Sequence, residues 1–281
     1  MITGTTKLMC LLGNPVDHSL SPAIHNELCR LNGFDGVYAA FSPEKESLEA
    51  AIMGLKSLGC IGFNVTYPYK EAVVPFLDEI HEDAEILKAV NTVVIQNDTL
   101  IGYNTDVFGF EQLLVKNNVD VKGQTVCILG TGGASRAVAV SFKNLGAKKI
   151  DFYSREIQEN AFIEQLKSFC DVEQVTYDFF DIKKPTYSVI VNGTPLGMGA
   201  YKNKSAIEPE NLMMSTVLID LIYNPEKTKL LTNAGERGYN IINGYDMLYY
   251  QGLKAFEYWT DIYRDYYSDI KTLLINRTEE T

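Results

Sequence analysis

The run Asn64-Val-Thr-Tyr-Pro-Tyr-Lys70 sets a hydroxyl, a turn-forming proline and one lysine directly after a short apolar segment that begins near Ile61. Such an order aims an ammonium group into a cleft, where it can stabilise developing negative charge or pass a proton. Three further groups of chemically capable residues share the chain. Ser19-Leu-Ser-Pro22 lies before the run, Asn91-Thr92 and Asn104-Thr-Asp106 lie after it, and the glycine-rich stretch Gly130-Thr-Gly-Gly-Ala-Ser135 lies further on. Hydroxyls, amides and a carboxylate suit a small polar ligand, and a glycine turn suits a pyrophosphate. Together they describe a substrate site beside a dinucleotide site.

The glycine turn follows an apolar strand and precedes a helix, the context in which backbone N–H groups can approach a pyrophosphate with no side chain in the way. Ser135 stands at the sixth position, where the general fingerprint has Gly or Ala, so the match is to a variant. A tight turn in a cofactor-free fold of the same kind is the alternative. Cofactor choice is set near the end of the next strand, which reads Tyr153-Ser154-Arg155-Glu156. The planar guanidinium of Arg155 suits a 2′-phosphate and favours NADP over NAD. Glu156 and Glu159 repel a phosphate dianion and keep NAD open.

The elements that must position these groups alternate in type. Short apolar runs at 9–12, 37–41 and 61–65 are each followed by an amphipathic stretch, at 23–31, 48–58 and 71–77. That is the βαβ pattern of a mainly parallel sheet. Pro22 suits the first turn of a helix and Gly33 its end, so Ser19 and Ser21 fall on a strand-to-helix loop. A helix over 107–115 and a polar break at 116–123 lead to a second βαβ unit: strand 125–129, helix 134–145 ended by Gly146, and strand 150–153. Further strands are expected at 188–191, 217–221 and 240–242. From Asp246 the chain is aromatic and helical, with Tyr249, Leu253, Phe256 and Trp259 at helical spacing, a stripe that suits a core. The tail 276–281 reads as solvated. At 281 residues the chain has room for two domains. We expect an α/β protein, with 1–105 completed by 246–281 as a mainly parallel substrate domain and 106–245 as a Rossmann-like domain.

Composition narrows the function classes. Lys and Arg total 25 against 36 Asp and Glu, a net charge of −11 with no basic block, which argues against nucleic acid. No run approaches the ~18 apolar residues of a membrane span, and the first residues do not resemble a secretory leader, so a cytoplasmic protein is expected. The five cysteines are scattered and never in metal-ligand spacing. They read as mostly buried thiols, and no metal is expected. His25 and His81 read as surface or helix residues.

Five runs, taken in order, resemble the shikimate dehydrogenase family over nearly the whole chain: residues 13–22, 64–70, 89–92 with 104–106, 130–135 and 243–251. The resemblance implies reduction of 3-dehydroshikimate to shikimate with NADPH, a step toward chorismate and the aromatic amino acids. It implies that Lys70 and Asp106 form the catalytic pair, and that Ser19, Ser21 and Tyr223 hold the substrate carboxylate. Thr66, Asn91 and Gln251 would address the ring hydroxyls, with Asp106. The cofactor would contact Gly130, Thr131, Gly132, Gly133, Ala134, Ser154 and Arg155, with Glu82, Leu221 and Gly244 at the periphery. A quinate/shikimate dehydrogenase using NAD and a non-catalytic shikimate-binding sensor are the competing readings. The partners implied are small molecules only, for a monomer or homodimer.

Overall fold

Alternating apolar and amphipathic runs fold into strands and helices much as their periods require. The computed structural model describes residues 2–157, 159–178, 180, 186–210 and 212–279. The chain divides into two units, one of Met1–Thr105 with Tyr249–Thr281, the other of Asp106–Leu248. In the first unit β1 (Lys7–Leu12), α1 (Ser21–Asn32), β2 (Gly36–Phe41), α2 (Leu48–Ser57) and β3 (Gly62–Val65) realise the expected alternation. Pro22 lies in the first turn of α1, and Gly33 closes it with φ of 64°. The strands β4 (Glu79–Ile80), β5 (Thr92–Gln96) and β6 (Thr99–Tyr103), with α3 (Glu82–Leu87) between the first two, complete a sheet of order β2-β1-β3-β5-β6-β4.

One stretch departs from the sequence reading, and within the mainly parallel sheet one strand, β5, runs against the rest. The stretch 71–77 forms turns and a single 3₁₀ turn, Val74–Phe76, not an α-helix. Pro75 lacks the N–H that helix propagation would need there. In the sheet β1 pairs with β2 and β3 in parallel, whereas β5 runs antiparallel to both β3 and β6. The β5–β6 hairpin turns on Asn97 and Asp98, both at positive φ (50° and 65°). Asn and Asp tolerate that backbone, but without the glycine that usually marks such a turn the hairpin is hard to see in sequence.

In the second unit α4 (Thr105–Lys116) leads from the hairpin, and its first residue still belongs to the first unit. There follow β7 (Thr125–Leu129), α5 (Gly133–Asn144), β8 (Lys149–Ser154), α6 (Ala161–Leu166), β9 (Asp171–Thr176), β10 (Val189–Asn192), β11 (Val217–Asp220), α7 (Lys229–Glu236) and β12 (Asn240–Asn243). The order is β12-β11-β10-β7-β8-β9, and every pairing is parallel. The central strands β7 and β10 are continuous apolar runs, as strands covered on both faces must be. β9 had no sequence signal because Asp171, Glu173 and Gln174 interrupt its apolar pattern. The strand order reverses between β7 and β10, the switch point at which doubly wound sheets bind ligands.

Two helices end the chain: α8 (Tyr245–Thr260), which carries residues of both units, and α9 (Tyr267–Glu279). Tyr249, Leu253 and Phe256 are fully buried, as the aromatic stripe predicts. Trp259 donates its indole N–H to the Val93 carbonyl at 2.9 Å. A Cβ on Gly62 would stand 2.1 Å from that indole nitrogen, so a glycine is required in β3 for α8 to reach the sheet. The expected solvated tail, 276–281, lies outside the residues whose side chains are described.

Candidate active site

The loop after β1 carries the first candidates. Ser19 is half-buried and its Oγ accepts the backbone N–H of Ser21 at 3.2 Å, which ties the two serines at the start of α1. The Gly13 loop packs against the next strand end so closely that a Cβ there would stand 2.3 Å from the Thr66 methyl. Thr66 N–H donates to Leu12 O at 2.9 Å, so the end of β1 and the end of β3 are locked together. Lys70 follows within one turn. Its backbone is held by the N–H of Val90 on Lys70 O (2.8 Å), and its neighbour Tyr69 is a buried anchor whose phenol donates to Pro43 O at 2.6 Å. The half-buried lysine is therefore presented from a fixed base.

Asn91 sits in a buried polar network. Its Oδ1 accepts from Thr105 N (2.8 Å), Thr105 Oγ1 (3.2 Å) and Thr92 Oγ1 (2.9 Å). Donors gathered on the oxygen fix the amide's orientation, with the NH₂ end turned away from them. Thr105 Oγ1 also lies 3.5 Å from Gln251 Oε1, so Asn91 and Gln251 share one neighbour. Behind them Asn64 donates to Asn91 O (3.1 Å) and Thr92 Oγ1 (3.0 Å) and accepts from the buried Tyr38 phenol at 2.7 Å. The sequence reading gave Asn64 and Tyr38 no role. An asparagine between Phe63 and Val65 inside a buried strand was the available signal, since an amide there must find partners.

His25 corrects one expectation. It lies on α1, as foreseen, but is 1% exposed, with its ring stacked on Tyr38 at 4.3 Å and tilted against Trp259 at 5.2 Å. The helix period turned it inward, and neither ring nitrogen makes a hydrogen bond. Burial pulls its pKa down to about 3, so the imidazole is neutral. His81 is exposed and precedes α3, whose first residue, Glu82, is also exposed. Cys10, Cys29, Cys60 and Cys127 are buried.

In the second unit the site is made of backbone. Gly130 has φ of 95°, which demands glycine. Cβ atoms built on Gly132 and Gly133 would meet nothing within 4 Å, and α5 starts there with no side-chain cap. Open space over uncapped N–H groups at a helix N-terminus fits a dinucleotide pyrophosphate. Thr131 and Ala134 flank these glycines, both half-buried. The variant Ser135 is accommodated by Gly193 at the end of β10, where a Cβ would stand 2.2 Å from Ser135 Oγ. The glycine that lets helix and strand approach has moved to the opposite strand.

At the end of β8, Ser154 donates to Glu156 O at 2.6 Å, while Arg155, Glu156 and Glu159 are exposed. Gly244 meets the backbone of Leu221: a Cβ would stand 1.9 Å from Leu221 O, and Gly244 N–H donates to Ile222 O at 3.1 Å. Those two candidates are thus brought together. Tyr223 follows on the same loop, half-buried, and burial raises its phenol above the ordinary range. Asp106 is buried on the first turn of α4, within the second unit, whereas Lys70 belongs to the first.

The chain is similar to known proteins along most of its length. The family model described as the shikimate dehydrogenase substrate binding domain matches residues 11–93. A shikimate dehydrogenase (NADP(+)) from Carboxydothermus hydrogenoformans is 42% identical over 266 residues, 93% of this chain and 94% of the relative. The chain belongs to the shikimate dehydrogenase family. Two solved members of the family share its fold. The Listeria monocytogenes shikimate 5-dehydrogenase, in complex with shikimate and NAD, superposes with a TM-score of 0.91 at 31% identity, over 97% of this chain and 98% of that one. A shikimate dehydrogenase in complex with NADP+ gives the same TM-score at 35% identity, over 99% and 97%. The matched lengths span both units.

Proposed function

We propose that this protein is an NADP-dependent shikimate dehydrogenase, reversibly reducing 3-dehydroshikimate to shikimate on the route to chorismate and the aromatic amino acids. The observation that carries the reading is 42% identity to a shikimate dehydrogenase (NADP(+)) over 93% of the chain, covering the lysine-bearing unit as well as the glycine-turn unit. The first unit serves as the substrate domain and the second as the dinucleotide domain.

In this reading Ser19, Ser21 and Tyr223 hold the substrate carboxylate. The raised phenol of Tyr223 keeps its proton and donates as a neutral group. Thr66, Asn91, Asp106 and Gln251 address the ring hydroxyls. Their mixed donors and acceptors select a polyol, because a wrong ligand leaves buried polar groups unpaired. Gly130, Thr131, Gly132, Gly133 and Ala134 receive the pyrophosphate, with Ser154 and Arg155 at the adenine ribose and Glu82, Leu221 and Gly244 peripheral. NADPH, when bound, supplies the hydride. Lys70 stabilises the charge that builds on the ketone oxygen and delivers the proton, and Asp106 orients Lys70. Among the described residues no helix is long and apolar enough to cross a membrane. We place the enzyme in the cytoplasm, as a monomer or homodimer.

One observation favours a second reading: Glu156 and Glu159 stand beside Arg155, all exposed, where a 2′-phosphate would sit. A quinate/shikimate dehydrogenase using NAD follows from it. Shikimate and quinate oxidation, each with NADP and NAD, separates the two. Turnover confined to shikimate with NADP is expected; equal rates with NAD or quinate would establish the second reading, and no turnover with any pair would exclude both.

A further inference from the structure

At the carboxyl-terminal edge of the second unit's sheet, three buried polar side chains form a cluster that no role above uses. Asp220, the last residue of β11, is fully buried. Asn192, the last of β10, and Thr228, just before α7, are 1% exposed. Asp220 Oδ1 accepts from Asn192 Nδ2 at 3.0 Å and from Ile222 N at 3.1 Å, and its Oδ2 accepts from Thr228 Oγ1 at 2.6 Å. Thr228 Oγ1 also accepts the Leu231 N–H at 3.3 Å, which commits its one proton to the carboxylate. All three groups facing Asp220 therefore donate. Burial raises the Asp220 pKa, and these hydrogen bonds oppose that shift by favouring the ionised form.

What the cluster holds is the segment leading to Tyr223. Ile222 N–H is bound by Asp220, Leu221 N–H donates to Asn192 O at 3.1 Å, and Ile222 O accepts from Gly244 N. Residues 221 and 222 are thus fixed from three sides immediately before Tyr223. On the other side Asn192 Oδ1 accepts from Thr194 N (3.1 Å) and Thr194 Oγ1 (2.7 Å). The Thr194 methyl lies 2.8 Å from where a Cβ on Gly130 would stand, against the glycine turn. A buried carboxylate is a poor way to add stability alone, since apolar packing of like volume serves as well or better. Its donors come from the end of β10, which borders the switch point, and from the loop that follows β11, where fixed backbone geometry matters.

We propose that Asp220 is a positioning residue for Tyr223, using its two carboxylate oxygens to hold the 221–223 loop in the orientation that presents the phenol to the substrate carboxylate. This rests on the reading of Tyr223 as a partner of that carboxylate. Asp220→Asn keeps one acceptor oxygen and turns a donor toward Thr228. It is expected to raise the KM for shikimate about tenfold while leaving the dissociation constant for NADP, measured by fluorescence titration, within about threefold of wild type. Tyr223→Phe should raise the shikimate KM on its own, and the double variant should be no worse than Tyr223→Phe, because both act through one phenol. Hydrogen exchange of the 221–223 amides should accelerate in Asp220→Asn by more than any fall in global stability accounts for, with amides elsewhere in the sheet as the reference. Thr228→Val, which removes only the Oδ2 donor, carries the same measurements if Asp220→Asn does not fold.

The proposal is overturned if exchange at 221–223 is unaltered, if shikimate and NADP binding weaken equally, or if the two substitutions multiply. A wild-type enzyme that oxidises no shikimate would instead remove the functional reading, and the exchange experiment would still decide whether Asp220 holds the loop.

Discussion

The two units build their candidate groups from different materials. In the first, the candidates are side chains oriented by other side chains: Asn91 by Thr92 and Thr105, and Thr92 in turn by Asn64 with Tyr38 behind it. In the second, the glycine turn is a backbone surface defined by missing side chains, with open space at Gly132 and Gly133 and forced proximity at Gly193 and Gly244. The difference teaches what each ligand class demands. A ring bearing several hydroxyls is told apart by the direction of individual donors and acceptors, which only oriented side chains supply. A pyrophosphate needs charge complementarity and close approach, which a bare helix terminus supplies.

The comparison can be broken experimentally, beginning with Lys70. Lys70→Ala should lower kcat by roughly 10²- to 10⁴-fold, with far less change in shikimate binding; an unchanged kcat would remove its proton-transfer role. Asn64→Ala strikes the side-chain network at a residue that is not itself a candidate ligand contact. It should destabilise the protein by about 1–3 kcal/mol in urea unfolding and raise the KM for shikimate, not that for NADP. A rise in both would show that the halves are not built independently.

His25 sharpens the same contrast through pH. Its folded pKa of about 3 lies below the unfolded value near 6.5, so the unfolded state binds the extra proton first. Its contribution to stability is complete above about pH 6.5 and is lost as pH falls toward 3, at up to about 1.4 kcal/mol per pH unit. His25→Phe should flatten the acid limb of a stability–pH profile by close to one proton; an unaltered slope would mean that the imidazole titrates normally.

In the backbone-built half, Gly132→Ala places a methyl where the fold leaves space, at a φ of −72° that alanine accepts. The melting temperature should hold while the KM for NADP rises about tenfold. A large loss of stability with normal cofactor binding would reverse that assignment. The smallest effect is expected at Arg155. Arg155→Ala should raise the KM for NADP a few-fold, roughly the value of one exposed charged contact, and leave that for NAD unchanged. Equal changes for both would mean that Arg155 meets something other than the 2′-phosphate.

Much of this was legible from residue order. The strand before Gly130, the helix after it and the alternation before residue 66 follow from local periodicity, and the structure has them within a residue or two. The helix expected at 71–77 failed because one proline outweighs an amphipathic pattern. The hairpin on Asn97 and Asp98 was missed because its turn uses residues that tolerate positive φ without advertising it. Ser135 looked like a weakness in the glycine fingerprint until Gly193, 58 positions on, was seen to make room for it.

By itself the sequence determined most of the element types, the glycine turn and the family, because each is written in neighbouring residues or in runs kept in order. Tertiary structure alone decided which polar groups face one another. It turned His25 into an aromatic stack, gave Asn64 its partners in Tyr38 and Thr92, and gathered Asn192 and Thr228 around the Asp220 carboxylate. Hydrogen bonds and burial depend on the direction of groups brought together from distant positions, and local sequence does not encode that direction.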